Sequence, residues 1–366
     1  MSAPGRSSGG GRGLVLGAGG FLGAAWSLGA LAAVQEVTGR DMSGVDLVVG
    51  TSAGSVLAAL LRAGRSVEDL CEAYQDDHPA PGSPGTPPLH LDMAAEASHP
   101  GLPHPGLGSL PLLLRAARRE VDVPATALCA ALLPRGRRRL TSVSELIRAA
   151  HHGRPWPDGT WLVAMNYRTG ERTPLGRDGA PGVPIEHAVA ASCAVPAWYE
   201  PVTIGGVPYI DGAVASPCNA DLVAPAGLDE VYVLAPMASF DSDRPTSPLA
   251  RLERWWRGVA TRRTLLEAER LRAAGTRVRV LAPNARDLAV MGVNMMDGSR
   301  RAAVLRTARD SVLRELTGAP PVSVPAEATA RPAAAAVLAT RPRTGPRTGP
   351  ARPRADRREP IRPAVA

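Results

Sequence analysis

The chain has 366 residues, a 45 % apolar share and a net charge of +8, enough to bury a sizeable core in one large domain or two ordinary ones. All 42 basic residues are arginine, which removes every mechanism that needs a lysine, and nine of them follow Gly318 against only Glu327, Asp356 and Glu359, so the body is close to neutral and no nucleic-acid-binding fold is expected. Cys71, Cys129, Cys193 and Cys218 lack CxxC spacing, which argues against a zinc site and against a disulfide framework.

In chain order, residues 1–12 read as a flexible leader without the apolar stretch of a signal peptide. No run of about 18 purely apolar residues suggests a transmembrane span, so a cytoplasmic protein is expected. "GLVLG" reads as a buried strand and 23–38 as a helix. "VDLVVG" reads as a second buried strand, with helices over 53–64 and 67–77. Continuous apolar strands separated by helices imply a parallel sheet covered on both faces. Residues 78–141 interrupt the rhythm with a Pro/Gly-rich insertion, or lid region, that carries a helical piece near 109–119. The rhythm returns with helix 142–150, strand 160–166, helix 184–193 and strand 207–210. Strand 230–235, helix 247–274, strand 277–282 and helix 299–317 complete it. Residues 319–366 are Ala/Pro/Arg-rich and lack the apolar content for a core. The expectation is a domain over 13–318 followed by a disordered tail.

Within helix 247–274, Leu249, Leu252, Trp256 and Val259 share a stripe, with Trp255 beside it. Arg251, Arg254, Arg257 and Arg262 lie opposite. The stripe is expected to pack on the sheet rather than lie in a membrane interface. The segment 107–119 is the better lid or lipid-facing element, and the source of any peripheral membrane contact.

Three motifs carry chemistry. The first is the loop after the opening strand, Gly17, Gly19, Gly20 and Gly23 in "LVLGAGGFLG". Strand, glycine loop and helix could hold a dinucleotide. That reading needs an acidic residue at the end of the second strand, whereas Asp46 stands at its beginning; a phosphate-binding P-loop needs the missing lysine. The second motif occupies the position of the absent acid: Gly50-Thr51-Ser52-Ala53-Gly54, G-x-S-x-G between strand and helix, the context of a nucleophile elbow. A serine nucleophile needs a base. Of the seven histidines, His78, His90, His99 and His104 lie in or beside the insertion, and His151, His152 and His187 also precede residue 211. A histidine triad therefore has little support. The third motif, Asp211-Gly212-Ala213 at the exit of a strand, supplies a candidate base.

In this order the three motifs resemble the patatin-like phospholipases. The resemblance extends through "RTGERTPLG", "AVAASCAVPAWYEPVTIGGVPYIDGAVASPCNADL" and "VYVLAPM". It implies a three-layer α/β/α sandwich with a mainly parallel central sheet. It also implies Ser52 as nucleophile, Asp211 as general base, amides near Gly19 and Gly20 as an oxyanion hole, and no metal or organic cofactor. The family's loop commonly reads GGGx[RK]G; here Ala18 replaces the first glycine and Leu22 the basic residue, which weakens the case for a phosphorylated head group. The expected activity is hydrolysis of lipid or other carboxylic esters. The alternatives are an acyltransferase or thioesterase with the same dyad, and a catalytically silent lipid-binding protein. Acyl-chain length, head group and oligomeric state are not legible.

Overall fold

The computed structural model describes residues 10–75, 104–241 and 248–318, the side chains at 249, 250 and 252 excepted. The leader to residue 9, residues 76–103 and the tail from residue 319 lie outside the described residues.

The apolar runs form the strands. β1 (Arg12–Leu16), β2 (Leu47–Thr51), β3 (Thr160–Asn166), β7 (Glu230–Leu234) and β8 (Arg277–Leu281) run parallel in the spatial order β3-β2-β1-β7-β8. Three further strands, β4 (Arg172–Leu175), β5 (Val202–Ile204) and β6 (Val207–Asp211), join antiparallel through β3. Side chains alternate between the faces, as a strand's period of two requires. Leu14, Leu16, Val48, Leu162, Tyr232 and Leu234 enter one core, while Val15, Val49, Val163, Val231 and Val233 enter the other.

On the first face lie α1 (Gly20–Thr38), α2 (Ala53–Arg62), α3 (Val67–Gln75), α6 (Thr141–His151), α7 (Ile185–Ser192) and α10 (Arg301–Thr317). Helix α1 is long and apolar enough to cross a membrane by length and composition. Its side chains are buried in this core, and Gly29 lets the α10 backbone approach where a Cβ would strike the Leu305 carbonyl oxygen. The second face is covered by a 3-10 turn, Ala220–Ala226, and by α8 (Pro248–Ala273). Two further helices, α4 (Leu110–Ala117) and α5 (Ala125–Leu132), close a smaller core with Met165, Tyr167 and Ile210. The short α9 (Ala285–Met291) is held by an Asn284–Asp287 capping box.

Helix α8 corrects the stripe expected for it. Trp255 is 62 % exposed and Trp256 45 %. The buried face is instead Arg257, Ala260, Thr264, Glu267, Ala268 and Leu271. Polar partners stabilise this inversion. Arg257 pairs with Glu253 and donates to the Pro236 carbonyl at 2.7 Å. Glu267 accepts from the Ala220 amide at 2.9 Å and pairs with Arg263 at 3.0 Å. These partners offset part of the cost of burying the charges, although burial still raises the Glu267 carboxyl above its usual range, and apolar periodicity alone points to the wrong face.

One detail of register positions the site. β4 pairs with β3 along Leu162–Met165, which leaves β3 a single remaining edge over that stretch. β2 occupies that edge up to Thr51 opposite Val163, and β6 occupies it from Asp211 opposite Ala164. Running in opposite directions on one edge, β2 and β6 meet end to end.

Candidate active site

Ser52 is the residue between β2 and α2, at φ 53° and ψ −123°. A side chain in this left-handed region is strained, and the neighbours hold it there. The Ser52 amide donates to Ser192 Oγ at 2.9 Å, and Ser192 Oγ donates to the Val163 carbonyl at 2.6 Å. The Ser52 carbonyl accepts from Ser55 Oγ at 2.6 Å. Gly54 lets α2 press onto the end of β1, since a Cβ there would overlap the Leu16 carbonyl oxygen. The elbow and the glycine loop therefore leave the sheet side by side.

Asp211 ends β6. Its Oδ2 accepts from the Ser52 hydroxyl at 2.7 Å and its Oδ1 from the Ala213 amide at 2.8 Å. Gly212 permits the turn to graze β3, where a Cβ would meet the Val163 carbonyl. Burial pushes Asp211 up from 3.8 to about 6, against the opposing pull of the Ser52 hydroxyl and the Ala213 amide. Asn219 joins the two halves: its Nδ2 donates to Thr51 Oγ1 at 3.1 Å and to the Ser216 carbonyl at 2.7 Å, and reaches the Gly212 carbonyl at 3.4 Å. Beneath the pair, burial and the Asp211 charge push the Cys193 thiol up to about 12, so it stays neutral and a poor nucleophile near pH 7.

In the glycine loop, the Gly17 amide donates to the Leu234 carbonyl and Ala18 to Pro217, each at 2.9 Å. Leu22 donates to Met295 at 3.0 Å and Gly23 to Gly19 at 2.9 Å. Among the described residues, the amides of Gly19, Gly20 and Phe21 have no backbone acceptor of this kind. They form the first turn of α1, where N–H groups are left over by helix geometry. Gly20, at φ +59° and facing Met295 and Met296, adopts the backbone that opens this turn. Leu22 is fully buried in the main core, so this position does not present its side chain to the loop's open side.

The described histidines are elsewhere. His151 Nε2 sits 2.9 Å from the Ala59 carbonyl, buried, with its pKa lowered by that burial. His104 accepts from Arg137 at 3.4 Å, and His152 and His187 are exposed. His78, His90 and His99 lie outside the described residues. Ser192 and Asn219 were not singled out in the sequence; the only trace was the polar serine closing "AVAAS", and the Asn in "SPCNADL".

Fold and site together define a mixed α/β protein with an elbow serine hydrogen-bonded to a buried aspartate beside a turn of open amides. Residues 14–79 and 126–224 match the family model described as patatin-like phospholipase. The matched segments include both Ser52 and Asp211. The unmatched residues between the two segments fall within the stretch expected to be an insertion. No curated protein matches the sequence. Among solved structures, the type III effector protein ExoU is 17 % identical at a TM-score of 0.30, covering 84 % of this chain and 53 % of its own. This chain thus spans about half the length of that protein. VipD from Legionella pneumophila is 15 % identical at a TM-score of 0.40, with 85 % of this chain and 68 % of its own covered.

Proposed function

We propose that the protein is a serine acyl hydrolase that cleaves carboxylic esters of lipids through a Ser52–Asp211 dyad. The observation that carries this reading is the 2.7 Å hydrogen bond from the Ser52 hydroxyl to the buried Asp211 carboxylate, within the reach a general base needs.

Asp211 takes the hydroxyl proton as Ser52 Oγ attacks the ester carbonyl carbon. The carbonyl oxygen, now negative, is held by the Gly19 and Gly20 amides; one such donor is worth roughly 2.7–4 kcal/mol in the transition state. The C–O bond to the alcohol breaks, and Asp211 returns the proton to the departing oxygen. Water then repeats the attack on the acyl-enzyme, losing its proton to Asp211, and the carboxylic acid leaves with Ser52 restored. A base near 6 suits this work: it is ionised at neutral pH yet more basic than an ordinary aspartate. The dipole of α2, whose N-terminus adjoins Ser52, favours the developing negative charge. The family match supports a lipid ester as the substrate class.

A fluorophosphonate probe tests the reading. One label on the wild type and none on Ser52→Ala, combined with hydrolysis across a lipid-ester panel, is the expected result. Equal labelling of both proteins would overturn the assignment. An acyltransferase would differ by transferring the acyl group to an added alcohol or thiol in preference to water.

A further inference from the structure

Six of the fourteen large apolar side chains exposed on the described surface, Leu107, Leu110, Leu114, Leu132, Leu133 and Trp198, belong to three segments that touch one another. Residues 104–109 run beside 131–135: the His104 amide donates to the Arg135 carbonyl at 2.9 Å, the Ser109 amide to the Ala131 carbonyl at 3.1 Å, and Arg135 Nε to the Gly108 carbonyl at 2.8 Å. Leu107 therefore lies next to Leu132 and Leu133. Leu110 and Leu114 stand one turn apart on α4, whose opposite side is anchored by the fully buried Leu112. Gly136 packs directly on the Trp198 backbone, where any Cβ would collide.

The patch also leads to the serine–aspartate pair by two short paths. The first is 192–198: Ser192 Oγ receives the Ser52 amide, the Ala194 carbonyl receives the Asp211 amide at 3.0 Å, and the Trp198 amide closes a turn onto Val195 at 3.2 Å. The second is α5. Thr126 donates to the Val214 carbonyl at 2.5 Å, just past Asp211, and the helix ends at the exposed Leu132. Eight residues of helix span about 12 Å, so the patch lies about that far from the Val214 turn that follows Asp211.

Around it the charge is one-sided. Between His104 and Leu140 there are seven arginines against Glu120 and Asp122. Arg115 and Arg118 approach Glu120 at 3.6 and 3.9 Å, and Arg139 pairs with Glu200 at 3.0 Å, which leaves a clear positive excess. Leucines and a tryptophan on arginine-rich segments, with Arg135 and Arg137 bonded at the seam to Gly108 and His104, suit the boundary between acyl chains and anionic head groups. An exposed apolar patch of this kind marks an interaction surface, and the positive excess of the segments that carry it matches a negatively charged one.

We propose that this face docks the protein onto anionic phospholipid bilayers, with the serine–aspartate pair held at the lipid surface. The purpose assigned to docking rests on the acyl-hydrolase reading; the binding itself does not. The test is co-sedimentation of the full chain with phosphatidylcholine vesicles, with and without phosphatidylserine. The wild type is expected to bind the phosphatidylserine vesicles preferentially and to weaken as salt rises. The double variant Leu110→Ser/Leu133→Ser is expected to lose at least about tenfold in vesicle affinity. Its circular dichroism and its turnover of a soluble short-chain ester should stay within about twofold of wild type, because both leucines are exposed. The proposal is overturned if the wild type binds no vesicles, if the double variant binds as well as wild type, or if binding is lost only in Trp255→Ser/Trp256→Ser. A wild type that binds vesicles through the leucines but turns over no ester would defeat the acyl-hydrolase reading and leave the docking surface standing.

Discussion

Replacing Asp211 with Asn removes the proposed base and, at neutral pH, should make the protein more stable. The carboxyl is buried, and burial raises it from 3.8 to about 6. An acid whose folded pKa exceeds its unfolded one binds protons more readily in the native state. Stability therefore falls as pH rises from about 4 to about 6, and the whole cost is present above that. The displacement is worth about 3 kcal/mol. Asn keeps the shape and can still accept from the Ala213 amide, without a charge to desolvate. At pH 8, Asp211→Asn is expected to gain about 2–3 kcal/mol over wild type in urea unfolding, and the gain should vanish near pH 4. Ester turnover should drop by about 10²–10⁴-fold, the usual contribution of a general base. Unfolding curves at pH 4, 6 and 8, with turnover at pH 8, check both halves. A variant less stable than wild type at pH 8, or a stability difference independent of pH, would refute the desolvation argument. Undiminished turnover would refute the base.

Wild-type turnover should be lost as pH falls through about 6, because the base must be ionised; an acid limb absent down to pH 4 would contradict the assignment. Ser52→Gly should be about 1–2 kcal/mol more stable than Ser52→Ala, since glycine accepts φ 53° without strain, and chemical denaturation reads the difference. Ser192→Ala leaves the Ser52 amide without its acceptor; it should cost about 1–3 kcal/mol of stability and lower kcat by up to about 10²-fold with KM nearly unchanged, and Ser192→Thr should recover part of the loss. Single alanine substitutions at His104, His152 and His187 should leave ester turnover within about twofold of wild type; loss at any of them comparable to Ser52→Ala would require a triad.

The parallel strands β1, β2, β3 and β7 were legible because each is a short, largely apolar run buried on both faces, β8 because Val278, Val280 and Leu281 alternate or follow with exposed Arg277 and Arg279 in a strand's period of two, and the elbow because its glycines frame a serine at a strand-to-helix junction. The expected helices at 23–38 and 53–64 begin or end within three residues of α1 and α2, with the glycine loop and the αL cap at Gly39 setting the limits. The short strands β4 and β5 and the helices α5 and α9 escaped notice. At three to eight residues they carry too little periodicity, and their burial comes from neighbours distant in sequence. Helix α8 misled because its buried face is built from Arg257 and Glu267, whose cost is offset by partners that no local pattern reveals. Ser192 and Asn219 were invisible for a related reason: a buried polar residue acquires meaning only from what it bonds, here the Ser52 amide and Thr51 Oγ1.

The end-to-end meeting of β2 and β6 on one edge of β3 makes the serine–carboxylate distance a property of strand register. A slip of one residue in β6 would carry Asp211 about 3.3 Å along the edge and turn its side chain to the other face. Partly ordered chains, however compact, would therefore hold the two residues without aligning them, and turnover should report the mixed half of the sheet as an all-or-none quantity. The same pairing insulates the site from the long connection between α3 and β3. Both strand tips are fixed by their ladders to β3, so lengthening that connection adds loop entropy, which grows only slowly with length, and moves neither tip.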